Sequence, residues 1–358
     1  MKTNQNTIEI NLNQDVPEPQ QAGLTSSIGS LWPPQIASFN RIKGIYTQKI
    51  IDNKPDLESV INELFQQVNN NFSNKITRIS LRAVVSNEIL RSLQEDRYLI
   101  EALIPLKGTQ NNLENTILVY FGLNHSTRQS LKEELGLYKK NMQQALLLKK
   151  RSPREILERV EKEGYSISII NKNYINETII DQITELYIRF NWNRNNVREI
   201  LLNPNNLMAI AYKKNQIVSA GIAELAKIPL DKNYLRITEI TEAATADGHT
   251  GNGLYTAVSS TLLLELTKRS KQKDILDGEI DFVFGECNGN AIGVLRTAKL
   301  QGRTFSIEIG KEYGFPESGI LYQHVPISGV PRNTPYNDLF PAFITRENLY
   351  KFWSLDYA

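Results

Sequence analysis

Apolar residues first fall at helical spacing over Leu57, Val60, Ile61, Leu64, Phe65 and Val68, which predicts an amphipathic helix. The pattern then changes. "KITRISLRA", "YLIEALIPL" and "NTILVYFGL" alternate or run continuously apolar and read as strands, and "SNEILRSLQED" reads as a helix capped by Ser86 or Asn87. Residues 1–35 are rich in Asn, Gln, Pro and Ser without periodicity, so a flexible tail is expected there. The block 36–125 is thus helix–strand–helix–strand–strand. From 126 to 163 the pattern is helical and charged, a connector. Its "SPRE" offers Ser152 as cap, Pro153 at the first helical position and Glu155 at the third, with Gly164 as the stop.

A longer block, 165–328, opens with the strand "YSISII". Two helices follow, one on Ile179, Ile180, Ile183, Leu186, Tyr187 and Phe190 and one on "NVREILLN". Then come the strands "NLMAIAYKK", "QIVSAGIAEL" and "YLRITEITEAAT", a helix after Gly251-Asn252-Gly253, the strand "DFVFGEC", the helix "NAIGVLRTAKLQG", and the strands "TFSIEIG" and "GILYQHVPI". This is an α/β chain of the α+β kind with a mixed sheet. Its last five elements repeat the pattern of 36–125, as a truncated copy would. Residues 329–358 are aromatic and are expected to form an extension packed on the core.

Composition narrows the function classes. A length of 358 residues favours two domains. A net charge of +2 gives no bulk field for nucleic acid or membrane. The basic run Lys149-Lys150-Arg151 reads as a solvated helix face. The single Cys287 excludes an internal disulfide and reads as a buried apolar residue suited to a reducing compartment. His125, His249 and His324 lack metal-ligand spacing. The N-terminus lacks the apolar core of a signal peptide, and no apolar run reaches the roughly 18 residues of a membrane span. A metal-free cytoplasmic protein is expected, with its oligomeric state open.

The chemistry concentrates in "TEITEAATADGHTGNGLYTAVSSTLLLEL", Thr238 to Leu266. A strand feeding a helix through glycines makes an anion site, because first-turn N–H groups lack partners and the dipole adds positive charge. Gly251, Asn252, Gly253, Leu254 and Tyr255 would offer N–H groups to a pyrophosphate. No Lys-Ser or Lys-Thr follows, as a nucleotide P-loop needs, and Thr256 occupies the third glycine position of a dinucleotide fingerprint.

With these residues and this element order, the block 165–328 resembles a GNAT acyltransferase domain. Its turn is similar to the family's Q/R-x-x-G-x-G/A loop, with Gly251 and Gly253 in the glycine positions and Gly248 in place of Gln or Arg. "CNGNAIGVLRTAKLQG" resembles the second motif, with Asn288 and Ala291 as its N-x-x-A, and Leu295 stands where the family carries a tyrosine. "EITEAAT" is similar to the E-x-T-D-x-A-T of β-lysine N-acetyltransferases, with Glu242 for Asp, and the plan of a partial N-terminal domain before the main one looks alike.

The resemblance implies acetyl-CoA as co-substrate and a small amine or amino acid as acceptor. Glu239 would be the general base: it shares a strand face with Leu235, Ile237, Thr241 and Ala243, and apolar surroundings raise a carboxylate's affinity for a proton. Glu242, on the other face with Thr238 and Ile240, would bind the cationic acceptor; a bulge would swap that phase. Ala244, Thr245 and Ala246 would line the thioester, with the N–H groups of Ala244 and Ala246 polarising its carbonyl. Asn288 would hold the pantetheine arm or cap a helix. Tyr255, Tyr313 and Tyr322 are candidate proton donors, and His249 reads as an exposed loop histidine. Two other functions fit the same residues: a catalytically silent acyl-CoA sensor, and a tandem-domain aminoacyl or long-chain acyltransferase.

Overall fold

The computed structural model describes residues 20–21, 30–37, 41–72, 78–93, 98–107, 113, 115–123, 132–188, 193–231, 233–321 and 338–353. Phe190, Tyr322, His125 and His324 lie outside them. Strand pairing begins earlier than the periodicity suggests. β1 (Gln20–Gln21), β2 (Ser30–Ala37) and β3 (Arg41–Tyr46) precede α1 (Lys54–Phe72), so part of the segment expected as a tail is sheet. The proline pair within β2 and the short β3 hid this signal. β4 (Arg78–Ser86), α2 (Asn87–Ser92), β5 (Leu99–Pro105) and β6 (Thr116–Leu123) follow as expected, with the Ser86 hydroxyl accepting the Ile89 N–H at 3.2 Å as the cap of α2. The sheet runs β1-β2-β3-β4-β6-β5, and α1 lays Leu57, Val60, Ile61, Leu64 and Val68 on it.

The charged connector is two helices, α3 (Lys132–Leu146) and α4 (Pro153–Lys162). At α4, the Ser152 hydroxyl accepts the Glu155 N–H at 3.2 Å, and the Glu155 carboxylate accepts the Ser152 N–H at 3.0 Å. Ile156 and Val160 then pack into the core beneath α4. Ser152→Ala should lower unfolding stability by about 1 kcal/mol in urea denaturation, the usual worth of such a cap; an unchanged midpoint would show that packing alone holds α4.

The second sheet comprises β7 (Ser166–Ile169), β8 (Asn206–Lys213), β9 (Gln216–Leu230), β10 (Asn233–Thr245), β11 (Phe282–Asn288), β12 (Thr304–Phe305) and β13 (Leu339–Thr345), in the order β12-β13-β11-β10-β9-β8-β7. Its helices are α5 (Glu177–Tyr187), α6 (Arg194–Leu202), α7 (Leu254–Gln272), α8 (Ile292–Leu300), α9 (Ser306–Glu312) and α10 (Arg346–Trp353).

Two expected strands are not formed as such. "TFSIEIG" keeps only two strand residues before α9, because Glu308 accepts the Phe305 N–H at 3.0 Å and pairs with Lys299, while the buried Ser306 hydroxyl bonds both the N–H and the C=O of Leu103. Of "GILYQHVPI", Leu321 makes a single bridge to Leu339, and 322–337 lie outside the described residues. The edge of β11 is paired instead by β13, from the segment expected as an extension. That segment is therefore part of the sheet.

The two sheets share a topology. β3 runs parallel to β4, then β6 and β5 follow antiparallel; β10 runs parallel to β11, then β13 and β12 follow antiparallel. In both, a helix joins the parallel pair and the last strand inserts before the penultimate one. The sheets pack face to face through Tyr46, Val84, Ala102, Ile104, Leu118 and Tyr120 on one and Ile228, Leu235, Ile237, Phe282 and Phe284 on the other. α7 covers the opposite face of the second sheet. Among the described residues, no helix is long and apolar enough to cross a membrane, and no group of three or more His, Cys, Asp or Glu is placed to hold a metal.

Candidate functional site

β10 and β11 pair over Ile237, Thr238 and Glu239 with Phe282, Val283 and Phe284 only. Beyond that, β10 stays with β9 to Thr245, and β11 stays with β13 to Asn288. Parallel strands that part company in this way leave a V-shaped gap. Glu239 and Phe284 stand at its vertex, and the carboxyl ends of both strands at its mouth, where ligands of open α/β sheets bind.

The glycine turn follows directly on the carboxyl end of β10 and leads into α7. Gly248, Gly251 and Gly253 hold φ of 82°, 84° and 78°, which side chains with a Cβ resist. Gly253 starts α7 in the left-handed region with no side-chain cap, and a Cβ at Gly251 or Gly253 would meet nothing within 4 Å. The turn is therefore open on its outer side. It is braced from beneath: Tyr165 Oη lies 3.0 Å from His249 Nδ1, and the Asn252 amide donates to Tyr165 Oη at 3.0 Å and to the His249 carbonyl at 3.2 Å. His249 is thus half-buried and engaged, not an exposed loop residue. Lys213 sits 4.2 Å from the Tyr165 ring centre and brings a cation beside the turn.

The strand backbone corrects the expected carbonyl-polarising pair. Ala246 donates its N–H to the Val218 carbonyl at 2.8 Å, and the Ala244 carbonyl accepts from the Ser219 hydroxyl at 2.9 Å. Both residues thus direct their backbone toward β9. Because alternate residues of a strand face opposite edges, the Thr245 N–H is the one that faces the gap. The β9–β10 register shifts between Thr241 and Ala244, so the alternation of the sequence holds through Glu239 and breaks at Glu242. The Glu242 side chain lies outside the described residues. Asn288 is buried; its Oδ1 accepts the Asn290 N–H at 2.8 Å, and its Nδ2 has no partner among the described residues. It does not cap α8, whose cap position is Ala291.

Glu239 is half-buried on the face turned to the first sheet. There it shares electrostatic surroundings with Arg82, Tyr46 and Tyr120. Arg82 is 5% exposed, donates to Tyr46 Oη at 2.5 Å and to Glu286 at 2.9 Å, and lies 4.5 Å from the Tyr120 ring centre. Burial pushes Tyr46 up to about 12, with Arg82 opposing. Desolvation opposes the charge on Arg82, but Tyr120, Tyr46, Glu286 and Glu239 offset it and hold its pKa well above the ordinary arginine value. None of this cluster was singled out from the sequence, although a charge inside each apolar strand, Arg82 in "ISLRAVV" and Glu286 in "FVFGEC", is the signal that could have found it.

The proposed proton donors divide. Burial pushes Tyr255 up to about 12, with Arg303 opposing. Tyr313 packs on the core of the first sheet, away from the gap. Leu295 is fully buried with Tyr138, Cys287 and Phe305. Cys287 is buried as expected, and burial pushes its thiol up to about 11.

No family model and no curated protein matches the chain. Solved structures do resemble it. The ribosomal-protein-S18-alanine N-acetyltransferase from Escherichia coli shares 12% identity over 50% of this chain and 94% of its own, with a TM-score of 0.35. NAA60 from Arabidopsis thaliana, in complex with acetyl-CoA, shares 10% over 50% of this chain and 98% of its own, at 0.37. An aminoglycoside acetyltransferase from an uncultured soil metagenomic sample, in complex with sisomicin, shares 13% over 35% of this chain and 78% of its own, at 0.26.

Proposed function

We propose that the chain is an acetyl-CoA-dependent N-acetyltransferase that acts on a primary amine of a small molecule or amino acid, β-lysine-like compounds included. The observation that carries this reading is the short β10–β11 pairing, which ends at a carboxylate, Glu239, on a strand that runs on into a glycine turn and α7. The pyrophosphate would take the N–H groups of Gly251 to Tyr255 on the open side of the turn. The arm would run between the strands, with Asn288 Nδ2 donating to one of its carbonyls and the Thr245 N–H on the side of the strand that faces the thioester oxygen. The amine would attack from the face of Glu239, which takes its proton.

Calorimetry with acetyl-CoA tests the donor, and thiol release with a panel of amines tests the transfer. Gly253→Val should abolish acetyl-CoA binding, because a β-branched residue resists the 78° φ and puts methyl groups on the open side. Undiminished affinity in a folded variant would remove the pyrophosphate assignment. One observation favours the sensor reading instead: Leu295, where the resemblance calls for a tyrosine, is sealed in an apolar cluster and offers no proton. Acetyl-CoA binding without thiol release for any amine would select that reading.

A further inference from the structure

Arg303 is only 3% exposed, yet its Nε and Nη2 have no hydrogen-bond partner among the described residues. A buried guanidinium with two unsatisfied nitrogens is costly unless a ligand completes it. Its position says where that ligand would be. A Cβ on Gly285 would lie 2.9 Å from Arg303 Nη1 and 2.9 Å from the Ile240 carbonyl oxygen. Gly285 and Ile240 are the first residues past the last β10–β11 pair, so the guanidinium stands at the vertex of the gap.

It also stands on a particular side. Val283 packs toward α7 and Cys287 toward α8, so Gly285, which alternates with them, faces the helices. Glu239 faces the first sheet, with Leu235 and Ile237. A carbonyl carbon in the gap would therefore have a carboxylate on one side and, on the other, a cation uncompensated among the described residues. The titratable groups that bear on Arg303 are Tyr255 of α7 and Cys287 of β11, and burial raises both, so neither supplies a counter-charge.

Resting on the acetyl-CoA reading above, we propose that Arg303 is a catalytic residue whose guanidinium, with Nη1 at the vertex, stabilises the sulfur of the departing CoA thiolate. The amine nitrogen forms its bond to the acetyl carbon as the C–S bond breaks. The electron pair leaves on sulfur, beside the guanidinium, and the ammonium proton goes to Glu239. The thiolate takes up a proton from water on release, which yields amide and CoA thiol. An arginine gives up its own proton too reluctantly to act as an acid, so its part is to stabilise charge.

The test reads the thiol directly. CoA bound to the 358-residue chain is titrated by the ultraviolet absorbance of its thiolate, with Arg303→Met and Arg303→Lys in parallel. In the wild type, bound CoA should ionise at least tenfold more readily than a free thiol of pKa about 8.5. Arg303→Met should abolish the shift and Arg303→Lys retain part of it. By calorimetry at pH 9, Arg303→Met should weaken CoA about tenfold or more while changing acetyl-CoA and desulfo-CoA less than threefold. Equal losses for all three ligands would place the guanidinium on phosphate or arm and overturn the proposal. An unshifted thiol in the wild type overturns it without any variant, while leaving acetyl-CoA binding intact. If the wild type bound none of the three, the acetyl-CoA reading would fall and this one with it.

Discussion

Glu239→Gln should lower kcat about 10²–10⁴-fold at neutral pH, the range a positioned general base contributes. The substitution keeps the size and hydrogen-bonding outline of the side chain and removes its ability to take a proton. Acetyl-CoA affinity should hold within a factor of two or three, because Glu239 sits at the vertex of the gap and the glycine turn lies beyond the other end of the strand. The deficit should shrink as pH approaches about 10, where an alkylamine of lysine-like pKa is already free base. Glu242→Gln should raise the acceptor KM and leave kcat nearly unchanged, as loss of a binding charge does. The register shift between Thr241 and Ala244 gives this comparison its value. If the two variants exchanged phenotypes, the bulge would have carried Glu242 into the role of base. If neither moved kcat or KM, the chain would bind acyl-CoA without using it.

The legibility of this site in the sequence followed the range of the forces that build it. The glycine turn was readable because its requirement is local: a positive φ at Gly251 and Gly253 belongs to those residues alone. The Ser152–Glu155 capping box was readable for the same reason. The helix at Ser306 was not, because "TFSIEIG" has strand periodicity and is overruled by Ser306 bonding Leu103, about two hundred positions earlier in the chain. β13 was missed likewise: its place between β12 and β11 is decided by pairing partners, and Pro341 within it is unusual for a central strand. Alternation placed Glu239 on the face with Leu235 and Ile237, and it lost its phase where the strand bulges. Arg82 and Arg303 share one kind of invisibility. Arg82 is a single charge in an apolar strand and Arg303 lies in the polar turn between α8 and β12, and what makes each consequential is a neighbour supplied by another element.

Arg82→Met should destabilise the chain by about 3–5 kcal/mol, the scale on which a buried ion pair breaks when one partner is removed. Methionine replaces much of the stem, so the loss is electrostatic. Glu286, 13% exposed at its side chain, loses the guanidinium 2.9 Å away, Tyr46 loses its donor, and the Tyr46, Tyr120 and Phe284 rings lose the cation they surround. Arg82 belongs to β4 and Glu286 to β11, so the pair ties the first sheet to the second at the face that carries Glu239. Arg82→Met combined with Glu286→Gln should be less destabilised than the sum of the single variants by about 1–3 kcal/mol, since the double variant leaves no unpaired charge. Additivity within about 0.5 kcal/mol would show that the pair does not couple the sheets. The same cluster sets a pH limit. Tyr46 is raised to about 12 by burial, whereas an unfolded tyrosine ionises near 10. Below pH 10 both states keep the proton and the stability is whole; between 10 and 12 the unfolded state loses its proton first, so stability falls as pH rises. Removing Arg82 takes away the charge that opposes this shift, and the alkaline loss of stability should therefore be steeper in Arg82→Met than in the wild type. A wild-type chain whose urea midpoint stayed constant from pH 9 to 12 would contradict the buried hydroxyl, and with it the packing of the first sheet over Glu239.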